Sequence, residues 1–481
     1  MAIDLTARIA HEPTDHEVAT VLGKLQGNIL KGHGRDHVSN IFFHFTVSPE
    51  NIRAVMIPLA QRIVTSALKQ HQQARQMTAF GVPGEPFGSL LLTAKGYRAL
   101  GFTEAQMAKA FPEGAPGEGK PFFRVGMKAC RAELGDPDPS RWEAPFQDEI
   151  HLLVLLADDD EQFLLRETRS VLNQLSSIGR VVGVEHGHAL RNADGLGTDH
   201  FGFVNGRSQP IFLKPQSGLN REGNAWNPIE PLECVLVHDE IASDEHAFGS
   251  FYVFRKLEQD VFGFRVRERE LAEALGLGAA GRERAGALAV GRFRDGTPLA
   301  LSPVPIGVAD NDFRYDGTLD NKCPYHAHIR KMNPRGDQSK LKGVPESVER
   351  SRRLARRGIP YGKINHQGTS SGVSSTREAL DGLPRQGVGL LFACFQSDIR
   401  EHFGFLSARA KFADFVQFRT GQDPIAAAPE PVPSDPQKWP VRWGEPLTEP
   451  FYFGHFVTLK GGEFFFAPSL PFLNRLVPNA V

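Results

Sequence analysis

Cysteine is scarce in this 481-residue chain: Cys130, Cys234, Cys323 and Cys394 are all there are, and none stands at CxxC spacing. That excludes a disulfide framework and a thiolate zinc cluster, and it points to reduced thiols in a cytoplasmic protein. Long apolar runs are missing too. LLVLLA at 152–157 falls far short of the roughly 20 residues a membrane-spanning helix needs, and the start, MAIDLTARIAHEPTDHE, carries acids where an export signal is apolar. No membrane partner is expected. Neither sign of charge dominates, since 55 Lys plus Arg against 56 Asp plus Glu leave −1, so the surface is not built to neutralise nucleic acid. Tyr and Trp are few, 6 and 4, against 35 Phe. Phe resists oxidation where Tyr and Trp do not, which suits a protein that handles a strong oxidant, although core filling is the commoner use of Phe.

The chain is too long for one ordinary core, so two domains or one duplicated domain is expected. NIFFHFTV (40–47) reads as a strand, and SPE then offers a Ser cap with Pro at the first helical position, opening a helix to about residue 76 that Pro58 disturbs. GSLLLTA (88–94) and EIHLLVLLA (149–157) read as strands. Asp158 to Asp160 cap a helix carrying Leu164, Val171, Leu172, Leu175 and Ile178 at helical spacing, and RVVGVEHGHALR (180–191) follows as a strand. GSFYVFR (249–255), a helix at 257–275, strands GALAVGRF (286–293) and GLLFACFQ (389–396), a helix at 398–416 and the strand EFFFA (463–467) repeat the order. Strand, helix, strand, strand, helix, strand is the ferredoxin-like unit. The reading is therefore α+β: tandem ferredoxin-like modules with antiparallel sheets, 1–220 and 221–481, the second interrupted by a long insertion at 296–388. Insertions of that length are usually functional.

The insertion carries CPYHAHIRKMNPR (323–335), where His326 and His328 are two apart and share a face only if the chain is extended. A second HxH, His186 and His188, keeps a metal-dependent hydrolase or lyase built on His186, His188 and His326 open. Further on, a run of basic residues ends in Arg356 and Arg357, directly before GIPYG, which stops any helix and fixes where those two side chains point.

GFVNGRSQP (202–210), CPYHAHIRKMNPR, RRGIPYG (356–362) and GLLFACFQSDI, in that order, resemble the dye-decolorizing peroxidases, and LQGNILKGHGRDH (25–37) resembles the start of their longer bacterial and fungal members. The likeness spans about residues 20–475. It implies two ferredoxin-like modules with one haem b in the C-terminal one, and a peroxidase that reduces hydrogen peroxide by way of a ferryl species while oxidising dyes and small organic reductants. His328 matches the proximal iron ligand, and Asp398 the place where many relatives carry the acid that sets its basicity. Arg356, rather than Arg357, matches the distal arginine, whose fixed charge stabilises the oxygen that departs when peroxide breaks. Leu390 and Phe392 match apolar residues that roof the pocket. Bulky dyes would deliver electrons through surface aromatics, for which Tyr325, Tyr361, Trp439 and Trp443 are candidates.

Asn205 departs from the pattern, because the family carries aspartate there to move a proton on peroxide. An amide holds peroxide by hydrogen bonds but is no base. Three readings stand open: a peroxidase that relays protons through Arg356 and water, a haem carrier or sensor with impaired turnover, and partial deamidation of Asn205-Gly206 to aspartate.

Overall fold

The computed structural model describes residues 3–112, 120–214, 225–278, 281–307, 311–315, 322–364, 380, 382–415, 420–427 and 436–477. The expected module boundary near 220 lies outside them. In the first half, β1 (His37–Phe45) leads into α1 (Pro49–Ile63) and α2 (Ala67–Phe80), then β2 (Phe87–Leu92), β3 (Leu152–Asp158), α3 (Glu161–Leu175) and β4 (Gly179–His188). The helix expected to run to residue 76 is two helices, and Pro58 lies within the first without ending it. The break comes at 64–66, where Thr65 spends its N–H on Gly88 and its C=O on Gly27, and Ser66 caps α2 by accepting the Lys69 N–H. Those backbone groups cannot also serve a helix ladder.

In the second half, β5 (Phe248–Gln259) is followed by α4 (Val261–Ala274), α5 (Arg282–Val290), α6 (His328–Met332), β6 (Ile359–Tyr361), β7 (Gly389–Gln396), α7 (Phe405–Lys411) and β8 (Val457–Ala467). GALAVGRF, expected as a strand, is the end of α5 and its cap. Ala and Leu favour helix, and Gly291 at φ 100° ends it in the left-handed conformation that glycine adopts freely. The strand it was taken for is β6, three residues long and so below what sequence periodicity detects. The helix expected at 398–416 is a π-turn at Arg400–Gly404 continued by α7.

The strands form one antiparallel path, β6-β7-β5-β8-β2-β3-β1-β4. Each half therefore shows the order second, third, first, fourth, which is the ferredoxin-like sheet, and the two halves join edge to edge where Phe466 of β8 meets Leu92 of β2. The far ends return towards one another: a Cβ on Gly187 of β4 would stand 2.4 Å from Ile359 Cγ2 of β6, so only glycine allows this approach. One large apolar core fills the space between the half-sheets, and a second lies under α4 and α5. Among the described residues no helix is long and apolar enough to cross a membrane.

Gln26, in the LQGNIL segment, closes the joint. Its fully buried side chain donates to Leu90 C=O (2.7 Å) and Pro468 C=O (2.8 Å) and accepts the Leu90 N–H (2.9 Å), holding both edges at once. Gln26→Leu keeps the volume but leaves the Leu90 N–H and a carbonyl on each side unpaired. We expect a loss of at least about 1–3 kcal/mol in urea denaturation, the cost of an unsatisfied buried polar group, and an unchanged midpoint would show that the joint does not depend on it.

Candidate active site

A cavity of about 590 Å³ opens on the face of the C-terminal half-sheet. Along β7 burial alternates, so Leu391 and Ala393 enter the core while Leu390 and Phe392 face the cavity, joined there by Leu257 of β5 and Leu459 of β8. These residues give an apolar floor. The remaining walls are polar and come from segments far apart in sequence.

One wall is the hairpin 197–205. Thr198 and Val204 pair across it, the Asn205 N–H donates to Gly197 C=O (2.9 Å), and Phe201 stacks on Phe264 of α4 at 4.2 Å between centroids. Gly206 then turns the chain with φ 71°, a conformation that favours glycine. Asn205 is exposed and its amide stands at the cavity wall. Arg356 lines the cavity beside it. The two-residue strand Ala355–Arg356 pairs with Cys394 and Phe395 of β7, the Gln209 amide clamps the Arg356 backbone on both sides (3.1 and 3.2 Å), and the guanidinium donates to Arg207 C=O. Burial draws its pKa below the usual value. The Arg357 guanidinium is taken up by the carbonyls of Asn28, Ile29 and Arg356, so Arg356 keeps more donors for the cavity.

His328, the first residue of α6, lines the same cavity. Two neighbours fix that short helix: Arg330 makes a buried ion pair with Asp337 (2.7 and 2.9 Å), and Lys331 donates to the carbonyls of Gly421 (2.7 Å) and Phe412. His328 Nδ1 lies 2.8 Å from Asp423 Oδ2, and Asp423 is fully buried, its Oδ1 accepting the N–H groups of Ile425 (2.8 Å) and Ala426 (3.0 Å). Burial pushes the Asp423 carboxyl up. The His328 imidazole and those two N–H groups outweigh it and hold the pKa below its ordinary 3.8. An ionised Asp423 makes Nδ1 the protonated nitrogen, so the Nε2 lone pair is left for a metal.

This corrects the acid expected behind His328. Asp398 accepts the Glu401 N–H at 2.8 Å and starts the π-turn, while Asp423 takes the place beside the imidazole. Nothing in local spacing points to Asp423, which meets His328 from 95 residues away. His326 is buried, with Nδ1 on Thr420 C=O (2.9 Å) and its ring edge-on to Trp439; burial lowers its pKa to about 3, so it is neutral. Of the aromatics expected near the surface, Tyr325, Tyr361 and Trp439 are buried and Trp443 is half-buried. Asp199, which also lines the cavity, was missed by sequence reasoning, although it stands six residues before Asn205.

His186, His188 and His326 do not meet: His186 bonds Ser39 Oγ (2.9 Å) and His326 the Thr420 carbonyl. Among the described residues the side chains whose ligand atoms converge on a possible metal position are His44, Glu149 and His151. There the His151 Nδ1 accepts the Phe45 N–H at 3.1 Å, so Nε2 carries the proton and offers no lone pair.

An imidazole backed by a buried carboxylate, with an arginine, an amide and apolar side chains lining the same cavity, is the set of groups that a haem-peroxidase type of site calls for. The comparisons agree with it. The chain is 38% identical to the multifunctional dye peroxidase of Amycolatopsis sp., over 99% of this chain and 100% of that protein. It is 28% identical to a dye-decolorizing peroxidase of Mycetinis scorodonius, over 93% and 86%. A solved peroxidase of the same type from Anabaena sp. superposes with TM-score 0.87 at 40% identity, covering 98% of each chain, and the structure of the Amycolatopsis enzyme with TM-score 0.86 at 36% identity, covering 98% and 100%. No protein-family model matches. The chain belongs to the dye-decolorizing peroxidases, haem enzymes that oxidise dyes with hydrogen peroxide.

Asp423 also carries a stability signature. Its pKa is lower folded than unfolded, so its stabilisation is complete above the ordinary carboxylate range and disappears as pH falls through the folded value. Asp423→Ala leaves two buried N–H groups and the imidazole without an acceptor. Urea denaturation is expected to show a loss of about 1–3 kcal/mol at pH 7 that shrinks on acidification below pH ~4; a loss independent of pH would count against the ionised carboxylate.

Proposed function

We propose that the cavity would hold haem b in the C-terminal module, taken as residues 221–481, with His328 Nε2 available to bind its iron, and that the N-terminal module, residues 1–220, lends the hairpin at 197–205 to the cavity wall. The observation that carries the proposal is that a carboxylate-backed imidazole, Arg356 and Asn205 line one cavity. The residues present fit the group. A neutral imidazole is a sound iron ligand, Leu257, Leu390, Phe392 and Leu459 suit a flat apolar ring, and Arg207 and Lys411 on the walls suit its carboxylates.

When bound, haem supplies the iron-centred redox chemistry that divides peroxide cleavage from oxidation of the organic reductant. The chain does the rest. Asp423 holds His328 in one tautomer and raises its basicity. Arg356 faces the negative charge that develops on the departing oxygen, and it does so from a site where burial strengthens the interaction. Asn205 binds and orients peroxide through its amide without taking a proton. Leu390 and Phe392 keep that space narrow enough for peroxide and too narrow for a dye, so large reductants are oxidised at the surface and small ones nearer the site. Cys130, Cys234, Cys323 and Cys394 are buried and joined in no disulfide, in keeping with a cytoplasmic location.

The optical spectrum of the purified protein, before and after peroxide, tests this reading. His328→Ala should remove the Soret band, and an unchanged spectrum would sink the ligand assignment. Arg356→Leu should keep haem while slowing the reaction with peroxide by roughly 10²–10³-fold. Peroxide-driven oxidation of a dye by the wild-type holoprotein distinguishes an enzyme from a carrier, since a carrier gives no turnover.

A further inference from the structure

Asp199 stands on the same cavity wall as Asn205. Across the hairpin Gly197 lies opposite Asn205 and Asp199 opposite Phe203. Residues two apart in extended chain share a face, so the carboxyl and the amide project to the same side. The Asn205 amide lies over Gly197, where a Cβ would come 3.3 Å from its Oδ1. Asp199 is the diagonal neighbour, about 7–8 Å away between such positions, a gap that one water spans.

Four groups face the carboxyl: the Phe203 N–H, 3.1 Å from Oδ1, the Gly202 N–H, the side-chain amide of Gln259 on β5, and Arg265 of α4. Behind the turn Glu268 is shared by Arg294 (2.5 Å) and Arg265 (3.3 Å), so the charge of Arg265 is not spent on Asp199 alone. Gln259 Oε1 is buried with no hydrogen-bond partner. A protonated Asp199 would supply the O–H that this oxygen lacks, and the ionised form is already served by N–H groups. Both states are thus accommodated, as a group that takes and returns a proton requires.

We propose that Asp199 is the proton acceptor that the amide at 205 cannot be, working through a water held by Asn205; this rests on the peroxidase reading above. One proton leaves hydrogen peroxide for the Asp199 carboxylate. The same proton goes to the outer oxygen, which leaves as water when the O–O bond breaks, so Asp199 ends ionised as it began. The electrons are those of the established peroxidase reaction. Burial, partly opposed by the Phe203 N–H and Arg265, pushes the Asp199 pKa up to about 6, which sets where the acceptor gains its function.

The test compares wild type, Asp199→Asn, Asn205→Asp and the double variant as holoproteins. The second-order rate constant with peroxide should rise with pH through about 6 in wild type. In Asp199→Asn it should fall about a hundredfold or more and lose that limb, although asparagine still accepts the Phe203 N–H. Adding Asn205→Asp in that background should restore most of the rate. A second readout needs no turnover. Because the folded pKa is raised from 3.8, wild type should lose stability relative to Asp199→Asn as pH rises from about 4 to about 6. If Asp199→Asn keeps the wild-type rate and pH profile, or Asn205→Asp fails to restore the double variant, the proposal is overturned. If His328→Ala keeps its Soret band, the haem-site reading falls first; if that band is lost and Asp199→Asn behaves as wild type, only the role of Asp199 falls.

Discussion

The hydrogen bond between His328 Nδ1 and the buried Asp423 carboxylate is the constraint around which the site is organised. An ionised carboxylate without solvent persists only where donors surround it, and Asp423 has two backbone N–H groups and an imidazole for that purpose. The arrangement fixes the segment 420–427 against α6. Lys331, reaching the carbonyls of Phe412 and Gly421, and Arg330, paired with Asp337, complete a rigid support for a five-residue helix that has little stability of its own.

The cationic wall is assembled on a different principle. Arg353, Arg356 and Arg357 would be costly to bury as free charges, and each has backbone or carboxylate acceptors: Glu230 for Arg353, Arg207 C=O for Arg356, and the carbonyls of Asn28 and Ile29 for Arg357. The last pair ties the LQGNIL segment of the first half to the cavity of the second, and Gln26 in that segment also joins the half-sheets. One stretch near the start of the chain therefore serves both the union of the modules and the shape of the site.

Legibility in the sequence followed the length and regularity of each element. Strands such as Leu152–Asp158 and Gly389–Gln396 were evident because they are continuous apolar runs, and α3 because its leucines recur at helical spacing. The three residues of β6 were not, and the alanine-rich end of α5 was mistaken for the strand that β6 supplies, since short apolar runs carry no decisive period. At the site, His328, Arg356 and Asn205 stood out through the motifs around them, whereas Asp423 and Asp199 sit in stretches whose meaning depends on what packs against them.

By itself the sequence determined the duplicated α+β order, the scarcity of cysteine and of long apolar runs, and the amide at position 205 beside Gly206 in its glycine-bracketed motif. Tertiary structure decided which acid backs His328, which of two adjacent arginines has donors left for the cavity, and that Asp199 shares a wall with Asn205. The reason is physical. Periodicity and motifs are local properties of a chain, but the protonation state of a buried group is set by its neighbours in space, and Asp423 and His328 stand 95 residues apart in sequence.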